Sequence, residues 1–283
     1  MNNEFSTVLA DRLNFPEGPV FDAHGRLWFV ELRGGDLTCF QNGAMRRFPT
    51  GGTPNGLAVD YRGVLWICDA SQNAIRTFSP DTEKFMTVCD KACGESLNKP
   101  NDLAFDAAGN LLFTCPGDSR TEPTGYVCCL KPNGEIHKIK EGMFFPNGLA
   151  FNSNGNVLFV AETYKQRIWK GAWDAKACQW KAPLPWSAPL GGALGPDGMA
   201  IGNTGLLFVA VYGSKQIKSL GPNGEVLDTW DLPGKNPTNV AFDPNGSLGL
   251  VITEAEHGLL LSIPGKRFIG TRLFDGAPSE DVS

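Results

Sequence analysis

Histidine and tyrosine are scarce in this sequence, and no stretch is strongly basic or uniformly apolar. The 283 residues include three histidines and four tyrosines, and the formal net charge is −5. Nucleic acids and anionic lipids usually bind a basic patch, so we expect neither a nucleic-acid nor a membrane partner. No stretch approaches the ~20 apolar residues of a membrane helix, and the first residues lack the apolar core of a signal peptide. We therefore expect a cytoplasmic protein.

The sequence also lacks the signature of a serine hydrolase. It contains no G-x-S-x-G elbow, and His24, His137 and His257 occur at unrelated positions of an internal repeat. We interpret His24 and His137 as structural, and His257 as a loop residue that is solvated or contacts a substrate. The sequence therefore does not indicate a Ser-His-Asp triad.

Cysteine is present, but its pattern does not indicate disulfides. The eight cysteines include several within apolar runs such as VLWICDA and GYVCCL, where a buried thiol is ordinary. Because no secretion signal is recognised, we expect these cysteines to be reduced.

Glycine and proline are abundant, and they punctuate six copies of one motif. The 34 glycines and 20 prolines predict many turns between short strands. The copies are FPEGPVFD, TPNGLAVD, KPNDLAFD, FPNGLAFN, GPDGMAIG and NPTNVAFD. Each copy leads through a turn into a second apolar strand, and its third position recurs every 38 to 50 residues. Such spacing is typical of units of four short strands.

The repeat predicts an all-β fold, a six-bladed β-propeller with four antiparallel strands per blade. No linker divides the chain, so we expect a single domain over residues 1–283. Spare strand material lies in FSTVLADRL at 5–13 and in KRFIGTRLF at 266–274. We expect one or both of these segments to close the last blade.

The third motif position places an oxygen-bearing side chain in every blade. In a propeller the first strand of each blade lies along the central tunnel, so these six residues should converge at one mouth. They are Glu17, Asn55, Asn101, Asn147, Asp197 and Thr238. Oxygen donors that include two carboxylates suit a hard divalent cation, and buried carboxylates without a cation would be costly.

Turn chemistry is the alternative explanation for the motif, and it accounts for the prolines and glycines. It explains Asn55 and Thr238 as well as metal binding does, but it explains Glu17 and Asp197 poorly because glutamate is a poor turn former. Asn101 could bind the metal through water or contact substrate instead. The aspartates at the other end of the first strand are predicted to be structural turn residues: Asp22, Asp60, Asp106 and Asp243.

These motifs, together with VAETYKQRIW, resemble the family of gluconolactonases, senescence marker protein and luciferin-regenerating enzymes over nearly the whole chain. The resemblance implies a propeller lactonase whose metal ligands are Glu17, Asn147 and Asp197, with Asp197 also as general base. Calcium is the first expectation for the metal, with zinc, manganese, magnesium or iron as alternatives. The substrate-contacting arginine of some members is replaced here by Lys99, which loses the two-pronged geometry.

The predicted function is metal-dependent hydrolysis of a small, sugar-type lactone, with Asn101, Lys99 and Glu122 contacting substrate. Glu122 belongs to the segment 115–125, which is longer than its counterparts and is either a lid or a mobile surface loop. The metal would polarise the lactone carbonyl while water attacks. Two alternatives remain open, a propeller that binds calcium without catalysis and a protein-interaction scaffold.

Overall fold

Short β-strands occupy most of the chain. The computed structural model describes residues 6–277. In chain order the strands are β1 Thr7–Ala10, β2 Pro16–Phe21, β3 Leu27–Glu31, β4 Asp36–Gln41, β5 Ala44–Pro49, β6 Pro54–Val59, β7 Leu65–Asp69, β8 Ala74–Ser79, β9 Lys84–Cys89, β10 Lys91–Ala92, β11 Glu95–Ser96, β12 Leu103–Phe105, β13 Leu111–Cys115, β14 Gly125–Leu130, β15 Ile136–Met143, β16 Pro146–Phe151, β17 Val157–Glu162, β18 Arg167–Asp174, β19 Gln179–Pro185, β20 Gly195–Ile201, β21 Leu207–Tyr212, β22 Gln216–Leu220, β23 Val226–Asp231, β24 Pro237–Phe242, β25 Leu250–Glu254 and β26 Leu259–Ile263.

Six antiparallel sheets of four strands each form the blades, which confirms the predicted β-propeller. Blades 1 to 5 consist of β2–β5, β6–β9, β12–β15, β16–β19 and β20–β23 in order, and blade 6 contains β24, β25, β26 and β1. The small hairpin β10–β11 lies between blades 2 and 3 in the sequence. The six first strands contact one another in the cycle β2, β6, β12, β16, β20, β24 and back to β2, so they surround one central tunnel.

The hydrophobic core is divided among the spaces between neighbouring blades. Six clusters of buried side chains each join residues of two adjacent blades. Between blades 1 and 2, for example, Trp28 packs on Phe78 with their ring centroids 6.0 Å apart. The alternating apolar residues of each strand therefore serve two cores, because successive side chains point to opposite faces of the blade.

The two ends of the described chain have different tasks. Strand β1 pairs with β26 and supplies the outermost strand of blade 6. The segment 269–275 instead crosses the tunnel: the Thr271 amide donates to the Ile201 carbonyl in blade 5, and the Tyr61 amide in blade 2 donates to the Asp275 carbonyl. Blades 2 and 5 are opposite each other, so this segment spans the tunnel mouth that lies away from the motif residues.

One cysteine pair corrects the prediction of reduced thiols. Cys129 on β14 of blade 3 and Cys178 in the turn after β18 of blade 4 form a disulfide. The other six cysteines are free. The two partners meet because blades 3 and 4 pack face to face, and inspection of single strands does not show which faces meet. Within residues 6–277, no helix has the length and apolarity to cross a membrane.

Candidate functional site

The six motif residues converge at one end of the tunnel, which we call the near mouth. Glu17, Asn55, Asn101, Asn147, Asp197 and Thr238 form what we call the oxygen ring, and each is at most 9% exposed. In five blades the pairing of the first two strands shifts register at the ring residue. Such a bulge bends the strand and re-aims one side chain, here toward the tunnel axis.

Glycine follows the ring residue in four blades because the first strands approach one another closely there. A Cβ atom at Gly18 would lie 2.7 Å from the Asn55 carbonyl oxygen, and one at Gly56 would lie 2.6 Å from the Asp102 Cα. The motif glycines are therefore required by the close approach of the first strands. The same close approach makes the ring compact.

Threonine hydroxyl groups connect the ring between blades. Thr238 Oγ1 donates to the Pro16 carbonyl of blade 1 at 2.8 Å, and Thr163 Oγ1 donates to the Pro196 carbonyl of blade 5 at 2.8 Å. Thr163 Oγ1 also accepts a hydrogen bond from the Asn147 side chain at 3.2 Å. Because the Thr238 hydroxyl is engaged and fully buried, the structure favours a structural role for this member of the ring.

The two ring carboxylates lie in an environment that disfavours their charge. Burial, followed by the charges of Asp197 and Asp102, holds the pKa of Glu17 well above its usual range. Burial, followed by the charge of Asp102, holds the pKa of Asp197 well above its usual range. No lysine or arginine forms a salt bridge with either carboxylate among the described residues. Burying an ionised carboxylate costs free energy, and a bound cation can offset that cost.

Asp102 and Asn239 are two site residues that the sequence reasoning missed. They occupy the position after the ring residue in blades 3 and 6, where other blades have glycine, and Asn239 Nδ2 lies 3.5 Å from Asp102 Oδ2. Blades 3 and 6 are opposite each other, so this pair spans the tunnel directly beneath the oxygen ring. Burial raises the pKa of Asp102 to about 7. In the sequence, these two residues could have been recognised because the other four copies of the motif have glycine at this position.

Beneath the Asp102–Asn239 pair, the tunnel continues as a cavity of about 650 Å³. Its wall is largely apolar, with Leu57, Leu103 and Leu149 from three of the first strands, and the segment 269–275 closes its far end. The cavity aspartates Asp22, Asp60 and Asp243 accept hydrogen bonds from turn amides. The ring carboxylates form no salt bridge among the described residues, so we place the candidate site at the near mouth.

The donor set of the oxygen ring fits a hard divalent cation. Carboxylate and amide oxygens are the ligands that calcium, magnesium and manganese prefer, and two carboxylates would balance the charge of one such ion. The described residues include no cluster of three or more histidine, cysteine, aspartate or glutamate side chains suited to a metal. The ring differs from such a cluster because amides complete it. Glu17, Asn147 and Asp197 could hold the ion, with Asn55 and Asn101 beside them.

Asn101 is a member of the ring, whereas the other two predicted substrate-contacting residues, Lys99 and Glu122, lie outside it. Lys99 is two residues before Asn101, and its Nζ donates to both carboxylate oxygens of Asp118, at 2.9 and 2.8 Å. Both partners are largely exposed. Glu122 is also exposed, and its side chain makes no hydrogen bond or ion pair within residues 6–277. The structure thus brings Lys99 to the near mouth with Asp118, and it gives Glu122 no such partner.

Aromatic residues form part of the near mouth, which the sequence reasoning did not anticipate. The rings of Phe15 and Tyr212 stack with centroids 6.4 Å apart, and the rings of Phe145 and Tyr164 lie 5.4 Å apart. The Arg120 guanidinium lies 5.9 Å from each ring of the second pair. Phe15 and Phe145 each stand two residues before a ring residue and adopt positive φ angles of 63° and 59°. Such φ angles are uncommon for bulky residues and often occur at functional sites.

Trp186 and His257 have ordinary structural surroundings. Trp186 packs on Phe159 at 5.0 Å between ring centroids, and its Nε1 donates to the Pro222 carbonyl, so it packs rather than lining the site. The His257 amide donates to Glu254, and its imidazole is about half exposed.

The protein-family model for the SMP-30/gluconolactonase/LRE-like region matches residues 15–256 of the chain. This chain belongs to that family. The matched segment contains all six members of the oxygen ring, the Asp102–Asn239 pair and both aromatic pairs.

Three relatives illustrate the range of this family and fold. The chain is 28% identical over 279 residues to the gluconolactonase of Zymomonas mobilis, covering 84% of this chain and 76% of the relative. It is 26% identical over 295 residues to the diisopropyl-fluorophosphatase of Loligo vulgaris, covering 92% of each. The structure of regucalcin from Agrobacterium tumefaciens, described as a calcium-binding protein, shares the fold with a TM-score of 0.80, 20% identity and coverage of 94% and 97%.

Proposed function

We propose that this protein is a metal-dependent lactonase that hydrolyses a small, sugar-type lactone at the near mouth. The observation that carries the proposal is the pair of buried carboxylates in the oxygen ring, Glu17 and Asp197, which have no cationic partner within residues 6–277. Membership of a family that includes gluconolactonases supports the reaction class. The calcium-binding relative supports calcium as the first candidate ion.

The oxygen ring supplies the binding site in this mechanism. Glu17, Asn147 and Asp197 would hold the ion. When bound, it would supply a Lewis acid for the lactone carbonyl and for the negative charge that develops on the carbonyl oxygen. The amide of Asn101 is available to the substrate, because its side chain makes no hydrogen bond within the described residues.

Asp197 has the second task of accepting a proton from the attacking water. Its carboxylate reaches the near mouth, where an ionised carboxylate can accept a proton from water. Lys99 and Asp118 at the edge of the mouth offer a donor and acceptors for substrate hydroxyl groups, which favours a polyhydroxylated substrate.

A panel assay tests this proposal. Chelated protein is reloaded separately with calcium, zinc, manganese and magnesium, and is then given an aldonolactone, an acyl-homoserine lactone and diisopropyl fluorophosphate. We expect metal-dependent hydrolysis that is fastest with the aldonolactone. The matched control is Asn55→Ala, which changes the same ring without removing a proposed ligand and should retain most activity.

Two results would contradict the proposal. Faster turnover of the acyl-homoserine lactone would remove the sugar-type substrate. Calcium binding without hydrolysis of any compound would favour the non-catalytic calcium-binding propeller. Cytoplasmic localisation stays a prediction, because it follows from sequence features alone.

A further inference from the structure

Four blades end their second strand with a buried carboxylate. This carboxylate binds the loop that precedes the first strand of the same blade, at the near mouth. The carboxylates are Glu31, Asp69, Glu162 and Glu254. Each accepts a backbone N–H from that loop, at 2.8, 3.0, 2.8 and 3.0 Å respectively. The repeated interaction is structural, since it satisfies loop amides that would otherwise be buried without partners.

Blades 3 and 5 depart from this pattern. In blade 3 the second strand ends with Cys115. In blade 5 the carboxylate position, opposite the motif proline Pro196, is Val211, and the strand continues to Tyr212 opposite Gly195. No carboxylate anchors the loop there, and the Tyr212 hydroxyl makes no hydrogen bond to any described residue. Of the two blades that lack the carboxylate, blade 5 alone ends its second strand with a tyrosine.

The position of Tyr212 brings it to the reaction site. Gly195, its partner across the strands, is two residues before Asp197 and has no side chain to separate the phenol from the mouth. Tyr212 stacks on Phe15 of blade 1. Blade 6 separates blades 1 and 5, so this contact must pass over the near mouth. The Arg33 guanidinium, 4.7 Å from the Phe15 ring, supports the stack from blade 1.

The surroundings keep the phenol protonated. An unperturbed tyrosine has a pKa of about 10, and burial, followed by the charge of Asp197, raises the pKa of Tyr212 further. Tyr212 is therefore a neutral hydrogen-bond donor at neutral pH, placed beside carboxylates that can only accept while ionised.

We propose that Tyr212 Oη donates a hydrogen bond to the ring oxygen of the lactone while the bond from that oxygen to the acyl carbon breaks. This inference rests on the proposed lactonase function and deepens it. Water supplies the hydroxyl group that joins the acyl carbon, and the proton it gives to Asp197 passes to the departing oxygen. Tyr212 keeps its own proton, so the hydroxy acid and the unchanged enzyme result.

This role answers a need of the reaction. The alkoxide that leaves an aliphatic lactone is strongly basic, and a donor aimed at its developing charge stabilises the transition state more than the ground state. A phenolate leaving group carries its charge over the aromatic ring and needs such a donor much less. Comparing the rates of an aliphatic lactone and an aryl lactone therefore measures the contribution of this hydrogen bond.

The test compares Tyr212→Phe with the wild type on an aliphatic lactone, glucono-δ-lactone, and on an aryl lactone, dihydrocoumarin. The variant keeps the ring that stacks on Phe15 and loses only the hydroxyl group. We expect kcat/KM for the aliphatic lactone to fall about 100-fold and that for the aryl lactone to fall less than about threefold. Tyr61→Phe, at an exposed tyrosine on the end of the tunnel away from the oxygen ring, is the matched control and should change neither value.

Metal affinity, measured by calorimetry, should be the same in wild type and Tyr212→Phe, which separates loss of the hydrogen bond from loss of the ion. Equal losses on the two lactones, or no loss on either, would overturn the role of Tyr212 while leaving the lactonase function intact. If the wild type hydrolyses neither compound under any metal, the proposed function and this inference fail together.

Discussion

Aspartates lie at both ends of the tunnel, and their pKa values are shifted in opposite directions. At the end away from the oxygen ring, which we call the far mouth, Asp22 accepts hydrogen bonds from the His24 and Arg26 amides and from the Arg26 and Trp28 side chains. Although burial acts to raise it, the hydrogen bonds from Trp28 and Arg26 lower the pKa of Asp22. At the near mouth, burial raises the pKa of Asp197.

Solvent exposure does not distinguish these carboxylates, because Asp22 is 5% exposed and Asp197 is 7% exposed. What differs is the number of donors that the fold supplies. A buried carboxylate that accepts several hydrogen bonds stabilises a turn. A buried carboxylate with few hydrogen-bond donors and no cation beside it can still bind a positively charged ligand. Unsatisfied hydrogen-bonding and charge partners, rather than residue type, therefore distinguish the end of the tunnel at which we propose the functional site.

The largest expected effect comes from changing the near mouth. Asp197→Asn preserves size and removes the charge and the base, so kcat/KM should fall at least about 100-fold. The metal-free variant should be no less stable than the metal-free wild type, because an unpaired buried charge has been removed. Lactone kinetics, metal content and thermal unfolding check this prediction. A metal-loaded variant with wild-type activity would rule out Asp197 as the base.

The pH dependence of stability should also distinguish the two ends. In metal-free protein, Glu17, Asp102 and Asp197 have raised pKa values, so the folded state binds more protons than the unfolded state. The free energy of unfolding should therefore fall as pH rises from about 4, the ordinary carboxyl pKa, through about 7, the value for Asp102. Thermal unfolding with and without calcium measures this slope.

Calcium should reduce that slope, because the bound ion favours the ionised carboxylates. Asp102→Asn should reduce it in the metal-free protein. A melting temperature that rises with pH over this interval in chelated wild type would contradict the electrostatic description of the near mouth.

Changing the far mouth should affect stability and spare activity. Asp106 Oδ2 accepts hydrogen bonds from Asn110 Nδ2 at 2.7 Å and from Trp173 Nε1 of blade 4 at 2.8 Å. Asp106→Ala leaves these buried donors without partners, so the free energy of unfolding should fall by about 3 kcal/mol. Urea unfolding and lactone kinetics check this prediction together. A large loss of kcat/KM in folded protein would show that the two ends are not separate in function.

The smallest expected effect is at the rim of the near mouth. Lys99→Met removes an exposed ion pair, which contributes little to stability. If Lys99 binds substrate hydroxyls, KM should rise about threefold to tenfold with kcat nearly unchanged, as expected when uniform binding is lost. Lys181→Met, which removes the ion pair with Asp174 on the outer part of blade 4, is the matched control. An unchanged KM in the Lys99 variant would place this lysine outside the site.

The sequence predicted the fold and the convergence of the oxygen ring because both follow from the register of the repeat. The turn aspartates were predicted for the same reason, and Asp22, Asp60, Asp106 and Asp243 all accept hydrogen bonds from turn amides. Local rules suffice where every partner lies within a few residues.

Features that depend on contacts between distant segments were not predictable in this way. Tyr212 and Phe15 meet only because blades 1 and 5 close around the mouth, and Cys129 and Cys178 meet only across two blades. The crossing of the far mouth by 269–275 likewise depends on tertiary packing, since this segment had been expected to be a possible blade strand. The sequence repeat shows the features that all blades share. The proposed site also depends on features that single blades have, and these are not visible in the repeat.

The most direct test of the account is the rate of aldonolactone hydrolysis by protein that elemental analysis shows to be free of metal. We predict that kcat/KM falls at least about 100-fold on removal of the ion and returns when one equivalent of the active divalent ion is added. Hydrolysis at the full rate by the metal-free protein would contradict the assignment of Glu17, Asn147 and Asp197 as a catalytic metal centre.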